Sequence, residues 1–199
     1  TIQESKIKKI DEIGRKEGPV LEILPFRPKK VGIIITGSEI FEKRIKDRSA
    51  GIVRKKVEAL GSRMIREAVV TDDVLQIASE IHKMKSIGCQ VIIATGGLSV
   101  DPDDVTLEGI RKSGAEVVFY GVPVLPGSMS VYARLGETVI LGVPACVVHD
   151  PVTALDLFLP RVLANDSISA EEVARLGHGG LCWKCSVCRY PVCPMGKGV

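Results

Sequence analysis

Two groups of residues have the types and spacing to do chemistry. The first is spread over three stretches, each following an apolar run: "TGSE" at 36–39, "TDD" at 71–73 and "TGGLSVDPDD" at 95–104. In the third, Gly96 and Gly97 accept positive φ and let backbone N–H groups approach a ligand. The helix expected to follow adds partial positive charge for an anion, and Thr95 and Ser99 add hydroxyls. The aspartates suit the opposite partner, Mg²⁺ or the N–H donors of a heterocycle. Phosphate donors and carboxylates in one loop point to a phosphorylated heterocycle, with a Mg-nucleotide as a second ligand. Taken singly, each position has a plainer use. Gly-Gly makes a tight turn, and Asp72 or Asp73, like Asp103 or Asp104, makes an N-cap. The set as a whole, on one edge of one sheet, argues for a site.

The second group is the C-terminal run "CWKCSVCRYPVCP", where Cys182, Cys185, Cys188 and Cys193 are spaced C-x2-C-x2-C-x4-C-P. The tail has too few apolar residues for a core of its own, so four thiols here predict a metal that orders the segment. Disulfides are the weaker alternative without a secretory context. Two metals stay open. The spacing resembles the ferredoxin motif C-x2-C-x2-C-x3-C-P with one extra residue, which implies [4Fe–4S], and four thiolates also suit tetrahedral Zn²⁺. His178 is the nearby nitrogen donor and reads as an exposed side chain in "GHGG". Cys89 and Cys146 sit in apolar stretches and read as buried thiols.

These residues need elements to position them. "VGIIIT" (31–36), "MIREAVV" (64–70), "VIIAT" (91–95), "AEVVFY" (115–120) and "TVILGV" (138–143) read as strands. Helices are expected over 1–18, 48–60, 72–88, 103–112 and about 145–163, the last bent or restarted at Pro151. "VLEIL" (20–24) alternates as an edge strand does. Apolar residues make up 45% of the 199-residue chain and aromatics only 4%, so the core is aliphatic, as in a helix-covered parallel sheet. Strand–helix alternation then predicts an α/β fold, a three-layer α/β/α sandwich with a mostly parallel sheet. It would have an N-terminal linker helix and edge segment (1–30), one α/β domain (31–164) and a metal-stapled Cys tail (165–199). Ligands bind such sheets beyond the carboxyl ends of the strands, where the three polar loops emerge.

The formal charge of +3 is too small to imply nucleic acid, and "EKRIKDR" (42–48) reads as a solvated loop. No apolar run reaches membrane length and no signal peptide opens the chain, so no membrane partner and a cytoplasmic location are expected.

The motifs "ITGSEI", "DRSAG", "VVTDD", "ATGGLSVDPDDVT" and "PGSM", in this order over about residues 31–164, resemble the molybdopterin-binding domain. That domain occurs in molybdopterin adenylyltransferases, in molybdopterin molybdotransferases and in the N-terminal part of competence-damage-inducible proteins. The resemblance implies a molybdopterin pocket at the loop edge and a role in molybdenum cofactor biosynthesis. Asp104 would hold pterin or Mg²⁺, and Asp72 would orient the reacting pair. Thr95, Gly96, Gly97 and Ser99 would cradle the phosphate end, opposite a wall of Thr36, Gly37, Ser38 and Glu39. Thr106, Pro126, Gly127 and Ser128 complete the binding set. In adenylyl transfer the terminal phosphate of the pterin attacks the α-phosphate of Mg-ATP, so positioning and charge compensation carry the step. Implied partners are molybdopterin, ATP, other molybdenum-cofactor or molybdoenzyme proteins, and further copies of the chain in a dimer or trimer.

Two departures weigh toward binding over turnover. "GVPACVV" (142–148) replaces a Leu-Pro-Gly-Asn-Pro type turn, and "PGSM" (126–129) replaces Pro-Gly-Lys-Pro and its cation. The alternatives are a non-catalytic module that delivers the cofactor to a molybdoenzyme and a nucleotide pyrophosphatase of the competence-damage-inducible type.

Overall fold

The computed structural model describes residues 2–18, 21–42, 47–99, 101 and 103–198. The basic run at 42–48 therefore falls largely outside the described residues.

Six strands form one sheet: β1 (Lys30–Thr36), β2 (Arg63–Val70), β3 (Val91–Thr95), β4 (Glu116–Tyr120), β5 (Val131–Leu135) and β6 (Thr138–Val143), in the order β2-β1-β3-β6-β5-β4. The pairs β1–β2, β1–β3 and β3–β6 are parallel, whereas β5 runs antiparallel to both its neighbours. The helices are α1 (Glu4–Glu17), α2 (Ser38–Phe41), α3 (Ser49–Ala59), α4 (Val74–Ser86), α5 (Thr106–Lys112), α6 (Ala154–Leu163) and α7 (Ala170–Arg175).

Three layers follow from the period-two alternation of each strand. Ile33, Ile35 and Ile93 point to the face covered by Val53 and Val57 of α3 and Leu155, Phe158 and Leu159 of α6. Ile34 and Ile92 point to the other face, against Ile77, Ile81 and Met84 of α4 and Ile110 of α5. The two helices on that face pack closely because Gly109 has no side chain; a Cβ there would lie 2.6 Å from Ile77 Cβ.

The expected elements differ from the structure in four places. No strand forms over 21–24, where Leu21 and Ile23 are 87% and 92% exposed. The segment pairs with neither edge strand of the sheet, β2 or β4. Strand β5 is additional: "VYARL" pairs with β6 through a two-residue turn at Gly136 and Glu137, with Leu135 opposite Thr138. The expected helix over 145–163 is two elements, a 3-10 turn (Ala145–Val148) and α6. Thr153 and Asp156 form a capping box that starts α6 afresh after Pro151. Finally, α5 begins at Thr106 rather than at 103 or 104, because the Asp104 carboxylate turns back onto its own loop. Helix α1 forms as expected and buries none of its residues. No described helix is long and apolar enough to cross a membrane.

Candidate functional site

Five segments meet at the carboxyl edge of the sheet. β1, β2, β3 and β6 share a direction, so the loops after Thr36, Val70, Thr95 and Val143 leave together. β5 runs the other way, so the 126–130 turn that leads into it arrives at the same edge.

The Gly96-Gly97 turn is held from below. Thr36, Thr95 and Thr106 are buried. The hydroxyls of Thr36 and Thr106 lie 2.9 Å apart and face the carbonyls of Thr95 (3.3 Å) and Gly96 (2.9 Å). Thr106 N donates to Gly97 O at 3.2 Å. These threonines thus build the turn from inside. Gly96 has φ +91° and a Cβ there would strike the Thr36 carbonyl; Gly97 has φ +53° and a Cβ there would lie 2.6 Å from Thr106 Oγ1. Only glycine fits at either position.

Asp72 joins three loops. Its Oδ2 accepts from Ser38 N (2.8 Å) and Ser38 Oγ (3.0 Å), and its Oδ1 lies beside Gly97. The neighbouring Asp73 takes the capping role on α4, accepting from Gln76 N at 2.7 Å, which leaves Asp72 exposed at the edge. Glu39 is exposed in the first turn of α2, which starts after Gly37. Asp104 behaves differently. Its Oδ2 accepts from Ser99 N at 2.5 Å, Ser99 Oγ accepts from Asp101 N at 3.1 Å, and Tyr120 Oη donates to Ser99 O at 3.4 Å. Asp104 therefore shapes the loop that carries Ser99.

A cavity of about 420 Å³ opens between that loop and the turn before β5. Leu98, Ser99, Pro126, Gly127, Ser128 and Met129 line one part, and Pro144, Cys146 and Asp150 another. The turn is seated on the start of α6: Ala154 N donates to Pro126 O at 3.0 Å, and a Cβ on Gly127 (φ +111°) would lie 2.8 Å from Ala154 N. Of the residues expected to bind, Ser99, Pro126, Gly127 and Ser128 line this cavity. Thr36, Gly37, Ser38, Glu39, Asp72, Thr95, Gly96, Gly97, Asp104 and Thr106 do not; they belong to the adjoining loops.

The C-terminal tail supplies part of the cavity's lining, which the sequence reading missed. Leu181, Cys182 and Lys184 complete the lining. Leu181 bridges to Leu125, just ahead of the Pro126 turn, with Leu125 N donating to Gly180 O (2.7 Å) and Cys182 N to Leu125 O (2.8 Å). Lys184, at φ +49°, places Nζ 3.4 Å from Asp150 Oδ1. The signal in the sequence was the cation missing from "PGSM"; a cation does reach the cavity, from 56 residues further along the chain (Ser128 to Lys184). Burial, and then the Asp150 charge, push the Cys146 thiol above its ordinary value, so it lines the cavity as a neutral group.

All six cysteines are free thiols. The four in the tail line a second cavity, of about 560 Å³. Among the described residues no three His, Cys, Asp or Glu side chains stand together as a group able to hold a single ion.

A mostly parallel sheet whose loop edge carries a glycine-built turn, a bridging carboxylate and an open cavity defines an α/β domain of the kind that binds ligands beyond the carboxyl ends of its strands. The chain belongs to the family described as a probable molybdopterin binding domain, which it matches over residues 32–164. It is 26% identical over 162 residues to a molybdopterin molybdenumtransferase of Synechococcus elongatus, covering 76% of this chain and 39% of that protein. It is 33% identical over 84 residues to a CinA-like protein of Thermotoga maritima, covering 42% of this chain and 20% of that protein. The chain thus spans well under half the length of these relatives. The fold matches the molybdopterin biosynthesis enzyme MoaB of Thermus thermophilus (TM-score 0.57, 20% identity, 69% of this chain and 95% of that one). It also matches the molybdopterin biosynthesis protein MoeA of Pyrococcus horikosii (TM-score 0.58, 23% identity, 70% and 35%).

Proposed function

We propose that the chain binds molybdopterin, as the cofactor or a precursor, at the carboxyl edge of its sheet, and acts as a binding module in molybdenum cofactor biosynthesis or delivery. The observation that carries this reading is the continuity of the Gly96-Gly97 turn, the Ser99 loop and the cavity beneath the Pro126 turn. It sets a glycine turn and small residues beside a cavity large enough for a fused heterocycle. Lys184, paired with Asp150 on the cavity wall, is the cation within reach of a phosphate end, and Asp72 faces the same edge for ring N–H donors or a Mg²⁺ ion. Family membership and the relatives named for molybdopterin chemistry support the ligand class.

Binding is favoured over adenylyl transfer for a chemical reason. Transfer between two phosphates needs charge compensation at both, and Lys184 is the one cation lining the cavity among the described residues. The test is titration of the full chain with molybdopterin, followed by addition of Mg-ATP. Saturable binding with no adenylated product is expected. Adenylated pterin would replace the binding reading with the adenylyltransferase reading, and phosphate-ester cleavage of nucleotides without pterin binding would favour a pyrophosphatase. Failure to bind pterin at any concentration would remove the assignment of the ligand.

A further inference from the structure

The segment 181–198 poses a physical problem that the loop-edge site does not. Apart from the bridge at Leu181, it contains no helix or strand. Met195 is its one buried hydrophobic residue, while Trp183, Val187 and Val192 are 71%, 73% and 84% exposed. Ordering this length of chain costs about 1–2 kcal/mol per residue in backbone entropy, and so little burial does not offset it.

The ends of the cysteine run are nevertheless fixed. Cys182 N bonds to Leu125 O, Tyr190 Oη donates to Asp156 O at 2.9 Å, and Gly196 N donates to Gly179 O at 2.9 Å. Cys182 and Cys193 are half-buried and pack against the core below α6. Between these anchors, Cys185 and Cys188 lie on an exposed loop that turns at Lys184. All four cysteines line one cavity, whose lining also contains Asp150, Lys184 and Arg189.

The spacing selects among the chemistries that four thiols allow. Tetrahedral Zn²⁺ and a [4Fe–4S] cluster each take four thiolates, and C-x2-C-x2-C-x4-C-P differs from the cluster motif by one residue. A cubane spreads its four thiolates around a core of its own iron and sulfide, and a cavity of about 560 Å³ lined by all four cysteines has room for that core. Lys184 and Arg189 line the same cavity, with Lys184 paired to Asp150. We infer that Cys182, Cys185, Cys188 and Cys193 ligate a [4Fe–4S] cluster that orders the tail. Through Leu181, Cys182 and Lys184 the cluster also holds in place one wall of the ligand cavity.

The experiment is iron and acid-labile sulfide analysis of the full chain purified without oxygen, and again after reconstitution with ferrous iron and sulfide. About four iron and four sulfide per chain are expected, with broad visible absorbance that dithionite bleaches. Cys185→Ser and Cys188→Ser should each reduce cluster content to a small fraction of wild type. Both residues are exposed, so the far-ultraviolet circular dichroism of the α/β domain should not change. Cys89→Ala, under the sheet and away from the tail, should retain the full cluster. A colourless protein with one zinc per chain would overturn the inference. So would a protein that takes up no iron on reconstitution, or Cys185→Ser and Cys188→Ser variants with wild-type iron.

Discussion

The Gly96-Gly97 turn, which leads into the Ser99 loop of the cavity wall, and the cysteine run at 182–193, which reaches the same cavity through Cys182 and Lys184, are held in opposite ways. The turn rests on buried strands: Ile93 and Ala94 beneath it are fully buried, and Thr36 and Thr106 lock it from inside. The cysteine run lies outside the core and is tied at its ends by a few hydrogen bonds. One wall of the site is therefore preorganised by the fold itself, and the other depends on whatever fills the thiol-lined cavity. A binding site made of one rigid and one conditional wall couples ligand affinity to the state of the second.

The largest test of this contrast is paired truncation. Ile93→Ala leaves a hole in a fully buried layer and should cost about 2–5 kcal/mol of unfolding free energy. Val192→Ala, in the tail, should stay within about 0.5 kcal/mol. Chemical denaturation reads both, and similar costs at the two sites would break the distinction. Next in size is Gly97→Ala. It forces a side chain into the left-handed region, at about 1–2 kcal/mol, and pushes on Thr106 Oγ1. Its stability loss should come with loss of pterin binding, measured by titration of the still-folded protein.

Asp72→Ala separates binding from folding. It removes the acceptor of two hydrogen bonds from Ser38 at an exposed edge, so stability should change by less than about 1 kcal/mol. Pterin affinity should fall about tenfold, which corresponds to roughly 1.4 kcal/mol. Unchanged affinity would place the ligand wholly in the cavity, away from the Gly-Gly turn. Lys184→Ala tests the other wall. An exposed cation contributes little in high dielectric, so a loss of about threefold is expected, shrinking as salt is raised.

The same contrast explains what could be read in advance. The central layer was legible because the runs of Ile and Val in β1 and β3 are buried on both faces, and because Gly61, Gly88 and Gly114 close the helices between strands. β5 was not, since "VYARL" carries a charge at Arg134 and pairs only because β6 lies across a two-residue turn. The 20–24 stretch alternates as a strand does, but alternation does not say whether a segment docks on a sheet edge, and Leu21 and Ile23 stay exposed. Within the site, the three loops and the Pro126 turn were legible from their glycines and hydroxyls. The role of the threonines was not, because Thr36 and Thr106 are 70 residues apart and their contact exists only once β1, β3 and α5 have assembled. Lys184 was hidden for a related reason. A tail that returns to the site leaves no periodic pattern, and the bridge that brings it there is a single residue, Leu181.

The smallest expected effect lies where the two regions join. Helix α7 connects them, and its start is held by Glu172, which accepts from Ser169 N (2.9 Å), Ser169 Oγ (3.0 Å) and Arg161 on α6 (3.1 Å). The Ser169 donors, and then Arg161, hold the Glu172 carboxyl below its ordinary value. A depressed carboxyl pKa means that the folded state binds this proton less readily than the unfolded state. Its stabilising contribution is thus complete above the unfolded value of about 4.3 and is lost as the pH falls through the lower, folded value. Glu172→Gln should accordingly loosen α7 at neutral pH, seen as faster amide exchange over Ala170–Arg175, and the difference from wild type should vanish in acid. The strands should show no matching change, since Arg161 keeps its second partner, Asp166, at 2.6 Å. If β1 and β3 exchanged faster together with α7, the junction would be part of the same cooperative unit as the sheet, and the wall formed by the tail would be as preorganised as the Gly96-Gly97 turn.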